Sequence, residues 1–288
     1  MEIRNICSLS VFVYLFIFIS MKRLLSALLI LFGLCFDSGA SLPDSQPYGV
    51  SIGFGVSGTS GLNGVFAYHD SFADVWWRRY FGVRFDFAST DPLKSEIDSL
   101  IESYMRDGRK VADDVFIDNG SLDAWHTSFM LDYYPFGDVW RISGGYTWGG
   151  ADLMSDIFGV VSDAPSSRFY FYLSGDHYFY DGNDFDGHAS INWKYHGPYF
   201  GTGVDINIFC GFALYIDIGA VLVNRPARMN LDIPHQQLYI HNKDSDSWSP
   251  ITIPALDRDV ARAEQDANDD FSKIRIYPML KMGVVYSF

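Results

Sequence analysis

The last fifteen residues of the chain alternate without a break. Ile274, Ile276, Pro278, Leu280, Met282, Val284, Tyr286 and Phe288 share one side, and Arg275, Tyr277, Met279, Lys281, Gly283, Val285 and Ser287 share the other. Successive side chains of a β-strand point to opposite faces, so this segment is a strand with one apolar face and one mixed face. The same period recurs upstream. Phe81, Val83, Phe85 and Phe87 alternate with Gly82, Arg84 and Asp86, and Phe200, Val204, Ile206 and Ile208 oppose Gly201, Gly203, Asp205 and Asn207. Phe212, Leu214, Ile216, Ile218, Ala220 and Leu222 oppose Ala213, Tyr215, Asp217, Gly219 and Val221. Strands with one greasy and one polar face suit a barrel that meets lipid outside and encloses a polar lumen. The competing reading is a soluble β-sandwich whose edge strand ends in Phe. Aromatics reach 17%, and no apolar run after residue 40 approaches the roughly 20 residues of a spanning helix.

The first forty residues have a different character. Two apolar runs, Ser10–Ser20 and Leu24–Phe36, flank Met21-Lys22-Arg23. The second has a basic start, a short apolar stretch and the small residues Ser38-Gly39-Ala40, the layout of a cleaved secretory signal. Met21 is therefore read as the natural start, 1–20 as an upstream extension and 41–288 as one domain; an uncleaved anchor is the alternative. Removing 1–40 takes away three bases and two acids and moves the net charge from −14 to −15. That balance excludes a nucleic-acid partner, whose binders concentrate Lys and Arg. Of the cysteines Cys7, Cys35 and Cys210 only the last remains, so no internal disulfide and no cysteine metal site is expected.

Eight strands are expected: Tyr48–Ser57, Leu62–His69, Arg79–Ala88, Asp123–Phe136, Trp140–Gly150, Tyr199–Phe209, Gly211–Val223 and Ile274–Phe288. The fold class is thus all-β, an antiparallel transmembrane β-barrel. Apolar residues and turn signals in 168–195 leave ten strands as the other count, or strands that extend beyond the membrane. An even count puts both termini in the periplasm. The connections 70–78, 137–139 and 210–211 are then periplasmic, and 58–61, 89–122, 151–198 and 224–273 are extracellular, matching short inner turns and long outer loops. Tyr68, Trp77, Trp125, Tyr133, Tyr134, Trp140, Trp148 and Tyr286 fall near strand ends, where rings with a polar tip suit the lipid–water boundary.

The run Leu131–Tyr146, with its Asp-Tyr-Tyr-Pro-Phe turn and Arg141-Ile142-Ser143-Gly144-Gly145, resembles a family of uncharacterised proteobacterial outer-membrane barrels. Phe81-Gly82-Val83-Arg84, Pro198–Gly203 and the acidic, helix-like Asp257–Ser272 running into Tyr277-Pro278 are similar to other blocks of that family. The resemblance covers about residues 50–288 and departs mainly at 89–122, which looks like an enlarged loop. It implies a small barrel of the OmpA/OmpX or OmpW type in the outer membrane, and no activity. Tyr286 and Phe288 resemble the terminal signal read by the barrel-assembly machinery, which makes that machinery an expected partner.

The inward faces carry Arg84, Asp86, Asp132, Arg141, Asp205, Asp217, Arg275 and Lys281. An eight-stranded barrel is just wide enough for side chains to fill it, and unpaired buried charges are costly. Four acids and four bases are therefore expected to pair and plug the lumen; a narrow solute channel is the alternative.

The loops offer weaker signals. Pro92–Arg106 reads as a helix with Asp91 as N-cap and Ile97, Leu100, Ile101, Tyr104 and Met105 on one face. Residues 89–122 hold eight acids against four bases and 151–194 seven against two, so the loops would meet outer-membrane lipid and lipopolysaccharide, with divalent cations able to bridge them. Asp181–Gly187 superficially suggests calcium, but Phe185 and Asn192 break the EF-hand pattern. His126 and Ser128 share a strand face with Asp132, a faint match to a lipid-modifying enzyme. It points inward, where acyl chains do not reach, and lumen hydrogen bonding is the plainer account. The remaining histidines show no metal-type spacing. The sequence therefore predicts a plugged barrel with a structural or surface-interaction role, without catalytic residues, metal or cofactor. A narrow channel is the second reading and a lipid-modifying enzyme the third.

Overall fold

A computed structural model of the chain describes residues 49–99, 115–136, 139–159, 169–174, 176–181, 187–209, 211–242 and 245–288. The extension and signal segment, Cys210, the 100–106 part of the first loop helix and the 182–186 part of the calcium-like run lie outside the described residues.

The wall of the barrel is an up-and-down meander of eight antiparallel strands. β1 (Val50–Ser57), β2 (Gly61–Tyr68), β3 (Phe81–Ser89), β4 (Val115–Tyr133) and β5 (Trp140–Gly159) follow one another. β8 (Gly187–Phe209), β9 (Phe212–Leu222) and β13 (Ile276–Ser287) complete it. Each pairs with the next, β5 with β8 and β9 with β13, and β13 closes on β1 from Ser51↔Ser287 to Ser57↔Lys281. Closure leaves the barrel without free edges. All eight expected strands are present.

Both ends of the meander meet at one rim, with the connections 69–80, 134–139 and 210–211. At that rim a short helix, α1 (Trp76–Tyr80), takes up the end of the connection read as 70–78 together with Arg79 and Tyr80, expected at the start of the strand. Gly211, at φ +82°, makes the tight turn from β8 to β9, a backbone state that costs glycine nothing. The opposite rim carries the long connections. There a 3-10 turn at Asp91–Leu93 leads into helix at 94–99; Thr90 rather than Asp91 is its N-cap, and Ile97 is buried.

β4, β5 and β8 run 19, 20 and 23 residues, well past the ends of their neighbours, and continue as a wall above the long-loop rim. A ninth strand, β10 (Arg228–Asp232), pairs with the upper part of β8. A second sheet of β6 (Phe169–Leu173), β7 (Asp176–Tyr180), β11 (Leu238–Asn242) and β12 (Ser247–Pro250) forms with α2 (Ile253–Phe271) a cap at this rim. The cap has its own core of Leu173, Tyr178, Tyr180, Ile233, Leu238 and Leu256. The free edge of β10 is satisfied by the helix: Met229 N–H donates to Asn268 Oδ1 at 2.8 Å and Leu231 N–H to Glu264 Oε1 at 2.7 Å. Residues four apart on a helix rise about 6 Å, and residues two apart on a strand about 6.6 Å, so the two spacings match. Among the described residues no helix is long and apolar enough to cross a membrane.

Candidate functional site

The barrel is inverted with respect to a soluble protein. Its outward positions carry Ile52, Phe54, Phe66, Val83, Phe85, Phe87, Phe129, Leu131, Ile142, Phe200 and Ile218, each at least two-fifths exposed. The inward positions of the same strands hold the charges. Asp86 is 0% and Arg84 4% exposed, and Asp132, Arg141, Asp217 and Lys281 fall between these values.

These charges form one connected network. Arg84 lies at its centre, with Nη1 2.5 Å from Asp217 Oδ2 and Nε 3.0 Å from Asp132 Oδ2. Arg84 Nη2 donates to Ser143 Oγ at 3.1 Å, and Ser143 donates to Asp132 Oδ1 at 2.5 Å. Arg141 Nη2 holds the other oxygen of Asp217 at 2.6 Å, and its Nη1 pairs with Asp205, which is partly open to solvent. Lys281 donates to Asp86 Oδ2 at 2.6 Å and stands 5.6 Å above the Tyr199 ring. Two arginines and one lysine thus face four aspartates. Each carboxylate has a cation partner, which makes such burial tolerable. Seven of the eight expected lumen residues come together. Arg275 does not: it precedes β13, is exposed, and takes no part.

The wall makes room for this network. A Cβ on Gly203 would overlap Asp217 Oδ1 and stand 3.0 Å from Arg141 Nη2, and one on Gly219 would overlap the Tyr199 ring. The rest of the cross-section is filled by groups not singled out from sequence. Met130, Tyr195, Tyr199, Val221, Val223, Tyr277 and Met279 pack as one buried cluster. Tyr215 donates to Asn63 Oδ1 at 2.6 Å across the lumen. The parity that placed Asp205 and Asp217 inward also places Tyr199 and Tyr215 inward, so the signal was present. Tyr134, expected in the boundary girdle, instead turns inside at the end of β4 and stacks on His69 at 3.8 Å.

The other candidates separate. Ser128 Oγ is bonded to Thr147 Oγ1 at 2.8 Å, and both ring nitrogens of buried His126 lack a hydrogen-bond partner among the described residues. The hydrogen-bonded pair that nucleophilic catalysis requires is therefore not formed there. Among the described residues no three His, Cys, Asp or Glu side chains are placed to hold a metal ion. Tyr286 packs on Phe212 at 4.8 Å, and Phe288 meets Tyr286 edge-on at 5.0 Å while its N–H donates to Val50 O at 2.9 Å. In the cap, burial and a 2.5 Å hydrogen bond to Asp259 push the Tyr178 phenol well above its ordinary range.

No protein-family model and no curated protein matches the chain. Among solved structures it is similar to CarO of Acinetobacter baumannii, with 16% identity and a TM-score of 0.46, over 85% of this chain and 100% of that one. It is also similar to CarO2 of the same organism, with 15% identity and a TM-score of 0.46 over the same shares. A major outer membrane protein from Thermus thermophilus shows 13% identity and a TM-score of 0.37, over 83% of this chain and 97% of that one.

Proposed function

We propose that the chain is an outer-membrane barrel whose lumen is closed by its own side chains, and that it works as a surface structure through its long-loop end. The observation that carries this reading is the inverted wall: an exposed apolar belt around a core of paired charges. The belt has the dimensions of a bilayer. Tyr133 and Trp125 on β4, and Trp140 and Trp148 on β5, are the end residues of nine-residue segments, and a tilted strand needs about 9–11 residues to cross hydrocarbon. The rims differ as those of outer-membrane barrels do, with both ends of the eight-strand meander on the side assigned to the periplasm and the longest connections on the other. The cap and extended strands then face outward, toward lipopolysaccharide, on a small barrel of the OmpA/OmpX or OmpW type. Tyr286 and Phe288 are assigned to recognition by the assembly machinery, and no catalytic role is assigned.

The test is a planar-bilayer recording on refolded protein whose unboiled band shifts on SDS gels. A folded barrel that gives no discrete openings supports the closed lumen. Steady unitary currents from the same preparation overturn it in favour of a narrow channel.

A further inference from the structure

Between β2 and β3 the chain leaves the wall at the short-turn rim and forms an open cavity of about 440 Å³. Its lining includes Ser71, Phe72, Asp74, Trp76, Arg79 and Tyr80. That volume falls in the range of small-ligand sites, about 300–1,000 Å³. The surrounding frame is well tied. Arg78 holds Asp70 at 2.9 Å and the Tyr68 hydroxyl at 2.6 Å, and the Arg79 carbonyl accepts from His69 Nε2 at 3.0 Å if that nitrogen carries the proton.

The two charged groups of the cavity are not used by this frame. The Arg79 guanidinium and the Asp74 carboxylate have no ion pair or hydrogen bond among the described residues, either with each other or with a third group. Each can therefore take a ligand group of opposite sign. The apolar lining is open as well, with Phe72 and Trp76 about two-thirds exposed. The site stands level with the aromatic boundary of the belt. α1 leads directly into β3, the Trp76 ring meets Phe81 edge-on at 6.5 Å, and Phe81 packs on Tyr133 at 5.1 Å.

We propose that this cavity binds the headgroup of an aminophospholipid, with its phosphate on Arg79, its primary ammonium on Asp74 and its acyl chains along Phe72 and Trp76. The inference rests on the membrane reading above. Arginine presents a fork of N–H donors that fits phosphate oxygens. A carboxylate accepts hydrogen bonds, which a primary ammonium can donate and a quaternary one cannot. The opposed charges therefore select phosphatidylethanolamine over phosphatidylcholine and over anionic phosphatidylglycerol. Free phosphate offers neither the ammonium nor the chains.

The experiment reconstitutes the full barrel into bilayers containing equal parts of the three phospholipids and reads retained lipid by native mass spectrometry. The expected result is about tenfold preferential retention of phosphatidylethanolamine. Arg79→Gln should lose that adduct, and Asp74→Asn should bring the ethanolamine-to-choline ratio close to one. Neither substitution removes an intramolecular partner among the described residues, so both variants should keep the heat-modifiable band. Equal retention of all three lipids by an inserted wild-type barrel overturns the proposal. A preference for phosphatidylglycerol overturns it too, as does an adduct that survives Arg79→Gln. A chain that does not insert into bilayers contradicts the membrane reading itself, and that failure is visible before any lipid is counted.

Discussion

Arg84 and Asp217 stand on opposite walls of the barrel, four strands apart in either direction, yet Arg84 Nη1 and Asp217 Oδ2 are 2.5 Å apart. The ion pair is a strut across the full diameter. The strut ties β3 to β9 independently of the ladder that runs around the wall.

Arg84→Leu leaves Asp217 with only Arg141 and takes from Asp132 its one cation partner among the described residues. Removing one partner of a buried pair costs about 3–5 kcal/mol, because the remaining charge stays desolvated. The midpoint of urea unfolding in detergent or lipid should fall accordingly. The double variant Arg84→Leu with Asp217→Leu should cost less than the sum of the two single changes, since contacting residues couple. Additive losses would mean that the strut is not an energetic unit.

Two glycines of the wall make a paired comparison. Gly203→Ala drives a methyl into the Arg141–Asp217 contact and is expected to cost about 1–3 kcal/mol, the usual range for overpacking. Gly144 meets nothing within 4 Å of an added Cβ. Gly144→Ala should therefore be neutral or stabilising by at most about 1 kcal/mol. Equal effects at the two sites would contradict the close packing of the lumen.

The cap should loosen at alkaline pH. The folded cap holds the Tyr178 proton more tightly than the unfolded chain does, through burial and then through Asp259. The associated stability is present in full below the ordinary phenol value of about 10 and is lost as pH rises from there toward the raised value. Amide exchange of β7 and α2 should accelerate above pH ~10 in the wild type. In Tyr178→Phe, exchange should start faster, because Asp259 has lost a donor, and the alkaline step should shrink. An unchanged step in the variant would assign the transition to another group.

How far the sequence disclosed the fold depends on the range of the signal. Period-two alternation is local, so all eight barrel strands and the inward set Arg84, Asp86, Asp132, Arg141, Asp205, Asp217 and Lys281 could be read from it. Parity gives the face of a residue but not its depth, so it assigns Arg275 to a network that the residue lies beyond. The upper part of β4 is not legible because a register shift between Asp118 and Ser121 breaks the alternation. Strands at β6 and β7 are legible in the apolar residues and turn signals of 168–195, but the sheet that they join is not. It assembles β6 and β7 with β11 and β12, separated by the whole of β8 and β9, and such pairing leaves no mark in any short window. α2 was visible as a helix, while its role in satisfying the edge of β10 was not.

The closing strand allows delivery to be separated from stability. Phe288 contributes one ladder hydrogen bond to Val50 and one ring contact to Tyr286, and it is about half exposed. Deleting it removes nothing from the lumen network, so the refolded barrel should lose only about 1 kcal/mol, the net worth of one hydrogen bond. If Tyr286 and Phe288 form the signal for the assembly machinery, the deletion should reduce the amount of folded protein in cells by far more than that change in stability accounts for. Quantifying the heat-modifiable band in isolated outer membranes, beside urea midpoints of refolded protein, compares the two directly. A cellular loss in step with the small in vitro change would leave Phe288 a structural role at the β1–β13 seam alone.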